Sequence, residues 1–206
     1  MGAIHGRNEM LQELNLDASR PVILFASKLQ KRKRCADLLE AYFNLAAGNE
    51  TGPSPYLVIA GDGEERASLE ERAAQSGYGS IRFCGFRNQS ELPGFFDIAT
   101  VFVLPSLDEP WGLVVNEVMN AGRAVIVSDD VGCQPDLIED GVEGCVFPVG
   151  DVAALTNALR KALATPETAV AMGQRGLAKI RTCDFEEDVR GLRRAIAQVT
   201  RKIPAW

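Results

Sequence analysis

The stretch from Val101 to Asp129, VFVLPSLDEPWGLVVNEVMNAGRAVIVSD, constrains the fold more than any other part of the chain. It opens with Val101-Phe102-Val103-Leu104, an apolar run that is short and rich in β-branched and aromatic residues, so it suits a buried parallel strand better than a helix. Pro105 and Ser106 stop it. After a loop from Leu107 to Gly112, the apolar residues Leu113, Val114, Val118 and Met119 recur at helical spacing, and Gly122 closes that helix. A second apolar run, Val125 to Val127, follows. Strand, loop, helix and strand in this order form a βαβ unit, whose loop lies at the carboxyl edge of the sheet, where open α/β folds bind ligands.

The rest of the chain repeats the alternation. Further strands are expected at 21–26, 56–60, 81–84 and 144–148, each a short apolar run bounded by turn residues. Between them, helices are expected around Leu38 to Leu45, over 64–76 with Gly77 at its end, and over 89–99, where Pro93 and Gly94 limit regularity. Asp151 is expected to cap a helix carrying Leu155 and Leu159, and Thr165-Pro166 to open another. Asp184 and Glu187 resemble a capping box, with Asp in place of Ser or Thr. The final helix then puts Phe185, Val189, Leu192, Ile196, Val199 and Ile203 on one face, a stripe read as ordinary core packing.

Six strands alternating with helices, joined by right-handed crossovers, give an α/β fold with a doubly wound parallel sheet of about six strands. At 206 residues there is room for one sizeable domain, expected over 21–206, with 1–20 as a linker, N-terminal extension or short helix.

The loop after Leu104 carries the chemistry. Glu109 and Glu117 stand eight positions apart, one before the helix and one inside it, with Gly112 between them letting a ligand approach the backbone. The free amides of Leu113 and Val114 face any anion at the positive end of the helix. Amides that bind anions, flanked by carboxylates that accept hydrogen bonds from hydroxyls, suit a sugar joined to phosphate. For either glutamate alone, a favourable helix dipole or simple solvation is a sufficient explanation. Trp111 either shapes the same pocket or packs.

A second polar segment, Ser27 to Arg34, contains Lys28, Lys31, Arg32, Lys33 and Arg34, five cations within seven positions. Such a run can be a solvated loop or mimic a nuclear-localisation patch, but its place between a strand and a helix, on the ligand edge, favours phosphate. Gly61-Asp62-Gly63 is read as a structural turn.

Composition excludes several classes. A formal net charge of −6 argues against a general nucleic-acid binder. Cys35, Cys84, Cys133, Cys145 and Cys183 are scattered, odd in number and without a C-x-x-C pair, so neither a disulfide framework nor a zinc site is indicated, and a reducing cytosol is the expected setting. His5 is the only histidine, which leaves no histidine base or histidine metal cluster to build. No signal peptide is visible, and no apolar run approaches the roughly 20 residues of a membrane span.

Taken together, PSLDEPWGLVVNEVMNAGRAVIVSD resembles the E-x7-E region of retaining GT-B glycosyltransferases of the family-4 type, with Glu109 and Glu117 at the two glutamate positions. Lys28 and Lys33 take the places of the Arg and Lys that hold the donor diphosphate in that family. Ser27 and Arg34 replace glycines there. Gly61-Asp62-Gly63 is similar to the family's GDG turn, and Gly132-Cys133-Gln134-Pro135-Asp136 to its Gly-Gly-x-Pro-Glu segment. The resemblance runs from about Pro21 to the last helix, and implies the C-terminal, Rossmann-like, donor-binding half of a GT-B enzyme whose N-terminal Rossmann-like partner domain is missing.

That resemblance also implies roles. Lys28 and Lys33 neutralise the leaving diphosphate, the Leu113 and Val114 amides assist, Glu117 holds the ribose hydroxyls, Glu109 touches the sugar, and Phe86 and Arg87 contact the base. The substrate is a nucleotide-diphosphate sugar, with no other cofactor and no metal. The full enzyme would be cytoplasmic, with peripheral attachment to the inner membrane face left open. It further implies that part of the last helix is exposed when the partner domain is absent. A non-catalytic nucleotide-sugar-binding module, a GT-B-like epimerase or phosphorylase, and an interaction domain that inherited the fold are the alternatives.

Overall fold

A computed structural model describes residues 6–48, 53–183 and 185–200. His5, Asp184 and Ile203 lie outside them, and with them the first residue of the expected capping box and the end of the last apolar stripe.

Six strands, β1 (Val22–Ala26), β2 (Tyr56–Ala60), β3 (Ile81–Gly85), β4 (Val101–Leu104), β5 (Ala124–Ser128) and β6 (Gly144–Phe147), form one sheet in the order β3-β2-β1-β4-β5-β6. Every pairing is parallel. This is the doubly wound sheet expected from the sequence. All residues of β1, β2, β4 and β5 are buried, as continuous apolar runs covered on both faces must be, whereas edge strand β3 is only half-buried.

The pleat sends alternate side chains to two cores. On one face Leu24, Val58, Phe102 and Val125 pack with helices α1 (Arg7–Glu13), α4 (Leu92–Ile98), α5 (Leu113–Asn120) and α6 (Gln134–Leu137). On the other, Ile23, Leu57, Val103 and Ile126 pack with α2 (Cys35–Ala47), α3 (Arg66–Ser76), α7 (Val152–Ala162) and α8 (Pro166–Ile180).

The amino-terminal segment, expected as a linker or short helix, contains α1, whose Met10 and Leu11 are buried in the first core together with Leu16. It is part of the packed structure. Arg87 joins it to the body, 3.8 Å from Glu13 and 3.2 Å from Glu91. The last helix, α9 (Phe185–Thr200), departs from the core-packing expectation: Leu192, Ile196 and Val199 are more than half exposed, because no described element covers that face.

Strand order reverses direction between β1 and β4, so the loops leaving their carboxyl ends diverge and open a crevice there. The basic segment follows β1 and the glutamate loop follows β4. The topology therefore brings two stretches more than 70 residues apart to one place.

Candidate functional site

The site is assembled from three loops tied together through their backbones. After β1, the chain bends over the turn that follows β2: a Cβ on Gly61 would sit 1.9 Å from the Ser27 carbonyl oxygen, and one on Gly63 2.4 Å from that of Leu29. Only glycine allows this approach, and the Leu29 amide donates to the Asp62 carbonyl at 2.9 Å across it. A 3₁₀ turn, Lys31–Lys33, follows, and Arg34 then turns the chain into α2 with φ +51°, a left-handed conformation that favours glycine. Here the departure at Arg34 from the family's glycine falls on backbone that glycine would suit, and Arg34 is held by Asp37 at 2.6 Å.

The loop after β4 is fastened on both sides. Leu107 N–H donates to the Arg32 carbonyl at 2.7 Å, and Gly132 N–H to the Glu109 carbonyl at 2.8 Å. A Cβ on Gly132 would lie 2.0 Å from the Pro110 carbonyl oxygen, so glycine is required for the β4 and β5 loops to run side by side. Gly112 starts α5 at φ +87°, and its missing Cβ faces Leu104 and Val131, each 3.1 Å from where it would be. Its smallness is therefore used inside the fold.

Lys33 and Glu109 meet in an ion pair, with side chains 10% and 11% exposed. Two of the expected site residues are thus brought together across the sheet switch point, out of reach of most water. Glu109 of this pair borders a cleft of about 420 Å³ walled also by Asp108, Asp129, Asp130 and Gly132. Sequence reasoning missed Asp108, Asp129 and Asp130. The signal was available, since Asp129 and Asp130 follow β5 on the same edge. Asp130 accepts the Asp108 amide at 2.6 Å and Asp129 the Val149 amide at 2.8 Å, so each carboxylate also fixes a loop. Beneath the cleft, burial and then the charge of Glu109 push the Cys133 thiol up to about 11, which keeps it protonated.

Next to the cleft, the Leu113 and Val114 amides find no protein acceptor among the described residues and lie at the positive end of α5. Glu117, one turn further, borders a separate hollow of about 350 Å³ with Gln89, Phe96 and Asp97. Among the described residues its carboxylate has no hydrogen-bond or ion-pair partner. The two glutamates therefore flank the free amides from two different depressions. Trp111 is 38% exposed, and its indole N–H donates to Asn116 at 3.1 Å.

Lys28 is exposed and unpaired among the described residues, at the rim of the same edge. Phe86 is 76% exposed beyond β3. Arg87, the other residue expected beside a base, has internal contacts: besides its two carboxylates it donates to the Cys84 carbonyl at 3.1 Å and lies 5.4 Å from the Phe95 ring centre. Its guanidinium is engaged in holding α1 and α4. Among the described residues, no group of three or more His, Cys, Asp or Glu side chains is arranged to hold a metal ion, and no helix is long and apolar enough to cross a membrane.

Comparison with known proteins matches this architecture. The family described as Glycosyl transferases group 1 matches residues 6–179. Alpha-D-kanosaminyltransferase of Streptomyces kanamyceticus is 31% identical over 162 residues, covering 78% of this chain and 41% of the relative. Sucrose-phosphate synthase from Thermosynechococcus elongatus superposes with a TM-score of 0.77 at 26% identity, over 97% of this chain and 50% of that one. Anabaena Alr3699/HepE, solved in complex with UDP and glucose, superposes with a TM-score of 0.75 at 20% identity, over 96% of this chain and 52% of that one. The chain therefore spans about half the length of the proteins it matches. With its sheet in GT-B order and most of its length matched by the family, the chain belongs to the group 1 glycosyl transferases.

Proposed function

We propose that the chain is the donor-binding half of a retaining glycosyltransferase that transfers a sugar from a nucleotide-diphosphate sugar, completed by an N-terminal Rossmann-like domain that supplies most of the acceptor site. One observation carries this reading: the free amides of α5 stand between Glu109 and Glu117, with Lys33 anchored on Glu109 across the switch point. The binding of UDP and glucose by the Anabaena structure agrees with it.

In the proposed reaction the bond from the sugar's anomeric carbon to the donor phosphate breaks, and the diphosphate leaves with its electron pair. The acceptor hydroxyl attacks on the same face and gives its proton to a donor phosphate oxygen, so no enzyme nucleophile is assigned. Charge grows on the diphosphate, where Lys33, Lys28 and the amides of Leu113 and Val114 are preorganised to meet it. Lys33 is shared with Glu109, which holds the ammonium in place and leaves it able to donate further, since an ammonium has three hydrogens. Glu109 accepts from sugar hydroxyls on the cleft side, and Glu117 from the ribose on the other. Phe86 offers an exposed face to the base; Arg87 supports the loop that presents it.

These cations replace a metal in the scheme, so transfer should persist in EDTA. The two-domain enzyme, supplied with a nucleotide sugar and acceptor, should give product with the anomeric configuration of the donor by NMR. Inverted product would overturn the retaining assignment, and release of an epimer or a sugar phosphate would favour the epimerase or phosphorylase reading. A reducing cytosol suits five free thiols.

A further inference from the structure

A second pocket lies at the opposite, amino edge of the sheet, with a volume of about 340 Å³. Arg7 of α1, Arg20 before β1, Arg123 before β5 and the first turn of α8 contribute to its wall. None of them borders the donor cleft. We infer that this pocket binds a small phosphorylated organic molecule at a site separate from the donor site.

The guanidiniums of Arg7 and Arg123 meet there, and among the described residues the carboxylate at ion-pair distance of either is that of Asp97. Arg123 donates to the Asp97 carbonyl oxygen at 2.9 Å and lies 3.7 Å from its carboxylate, and Arg7 donates to the same carbonyl. Arg20, also on the wall, has its guanidinium committed elsewhere: it donates to the Ser54 carbonyl and stacks 3.9 Å from the Tyr56 ring centre. Among the described residues Arg7 has no carboxylate at ion-pair distance. Arg123 shows the consequence: burial first, and then the like charge of Arg7, lower its pKa, and its buried Nε has no acceptor among the described residues. A bound anion offsets that repulsion.

The rest of the wall fits the same ligand. Helix α8 is 15 residues long, and its first turn, capped by Thr165, already holds the Glu167 carboxylate, so the two arginines are the groups left to meet an anion. Pro21, Ala99, Leu163, Pro166 and Val170 supply apolar surface for a carbon body, and the volume is that of a small-molecule site. The wall is rigid, because a Cβ on Gly173 would lie 2.1 Å from the Gly122 carbonyl oxygen, so α8 seats directly on the turn that carries Arg123. Guanidinium pairs with both carboxylate and phosphate through a planar fork, and two arginines beside an apolar wall suit the higher charge and carbon body of a phosphate ester.

Calorimetric titration of the chain with hexose 6-phosphate, glycerol 3-phosphate, inorganic phosphate and unphosphorylated hexose tests this. Saturable binding of a phosphate ester, tighter than that of the free ion and weakened about tenfold or more in Arg7→Gln and Arg123→Gln, is expected. Nucleotide titrations should be unchanged in both variants. Arg7 is exposed, so its variant remains informative if Arg123→Gln misfolds. No saturable binding of either ester, equal binding of inorganic phosphate, or unchanged ester affinity in Arg7→Gln would overturn the assignment.

Discussion

At the scale of single residues, the Lys33–Glu109 pair is the feature with the clearest energetic consequence. Two charges taken mostly out of water are tolerable only together, and removing one strands the other. Lys33→Ala should therefore destabilise the chain by about 3 kcal/mol in urea unfolding, and pairing it with Glu109→Leu should recover much of that. Both residues were legible from sequence because each sits just past a strand on the same edge. Their direct contact was not, since it depends on which strands are neighbours. Arg87 shows the complementary limit: its position beside β3 was legible, but nothing local announced that Glu13 and Glu91 would claim its guanidinium. The cysteines give a second test at this scale. Burial pushes the Cys84, Cys133 and Cys145 thiols up to about 11 and Cys35 higher still, while Cys183 is exposed. An aromatic disulfide reagent at neutral pH should titrate Cys183 alone in the native chain, and all five thiols after unfolding.

At the scale of elements, the strands were readable almost to the residue, because β-branched runs buried on both faces allow little else. The α1 helix and the 3₁₀ turn over Lys31–Lys33 were less so. Seven residues and three residues leave little periodicity to detect, and both exist because of what they pack against. The Gly61-Asp62-Gly63 turn was correctly read as structural, and the structure adds its purpose, which is to seat the basic loop after β1. Gly61→Ala drives a methyl into the Ser27 carbonyl and forces the two loops apart. A loss of about 2 kcal/mol, or roughly 4–8 °C in thermal midpoint, is expected together with weakened nucleotide binding. An unchanged midpoint would show that the loop yields without cost.

At the scale of the whole molecule, the chain has the full six-stranded sheet but about half the length of the relatives it matches. On α9, Leu192, Ile196 and Val199 are exposed. Whether that stripe was core or contact surface was not decidable from its periodicity, since burial against one's own chain and against another domain use the same pattern. The expected behaviour is nucleotide binding without transfer by this chain alone, and transfer once the N-terminal half is joined to it. Efficient transfer by the isolated chain would contradict the two-domain account.

The most direct measurement is calorimetric titration of the chain with UDP, GDP and ADP and their sugar derivatives, alongside Glu117→Ala and Lys33→Ala. Each variant removes a hydrogen-bonding charge from the proposed site, which costs about 1.5–3 kcal/mol, or roughly 10- to 100-fold in affinity. The account predicts saturable binding of one nucleotide, weakened to that extent in both variants. Tight binding that ignores both substitutions would place the donor elsewhere, and absence of binding by every nucleotide, in this chain and in the joined two-domain protein alike, would contradict the donor site itself.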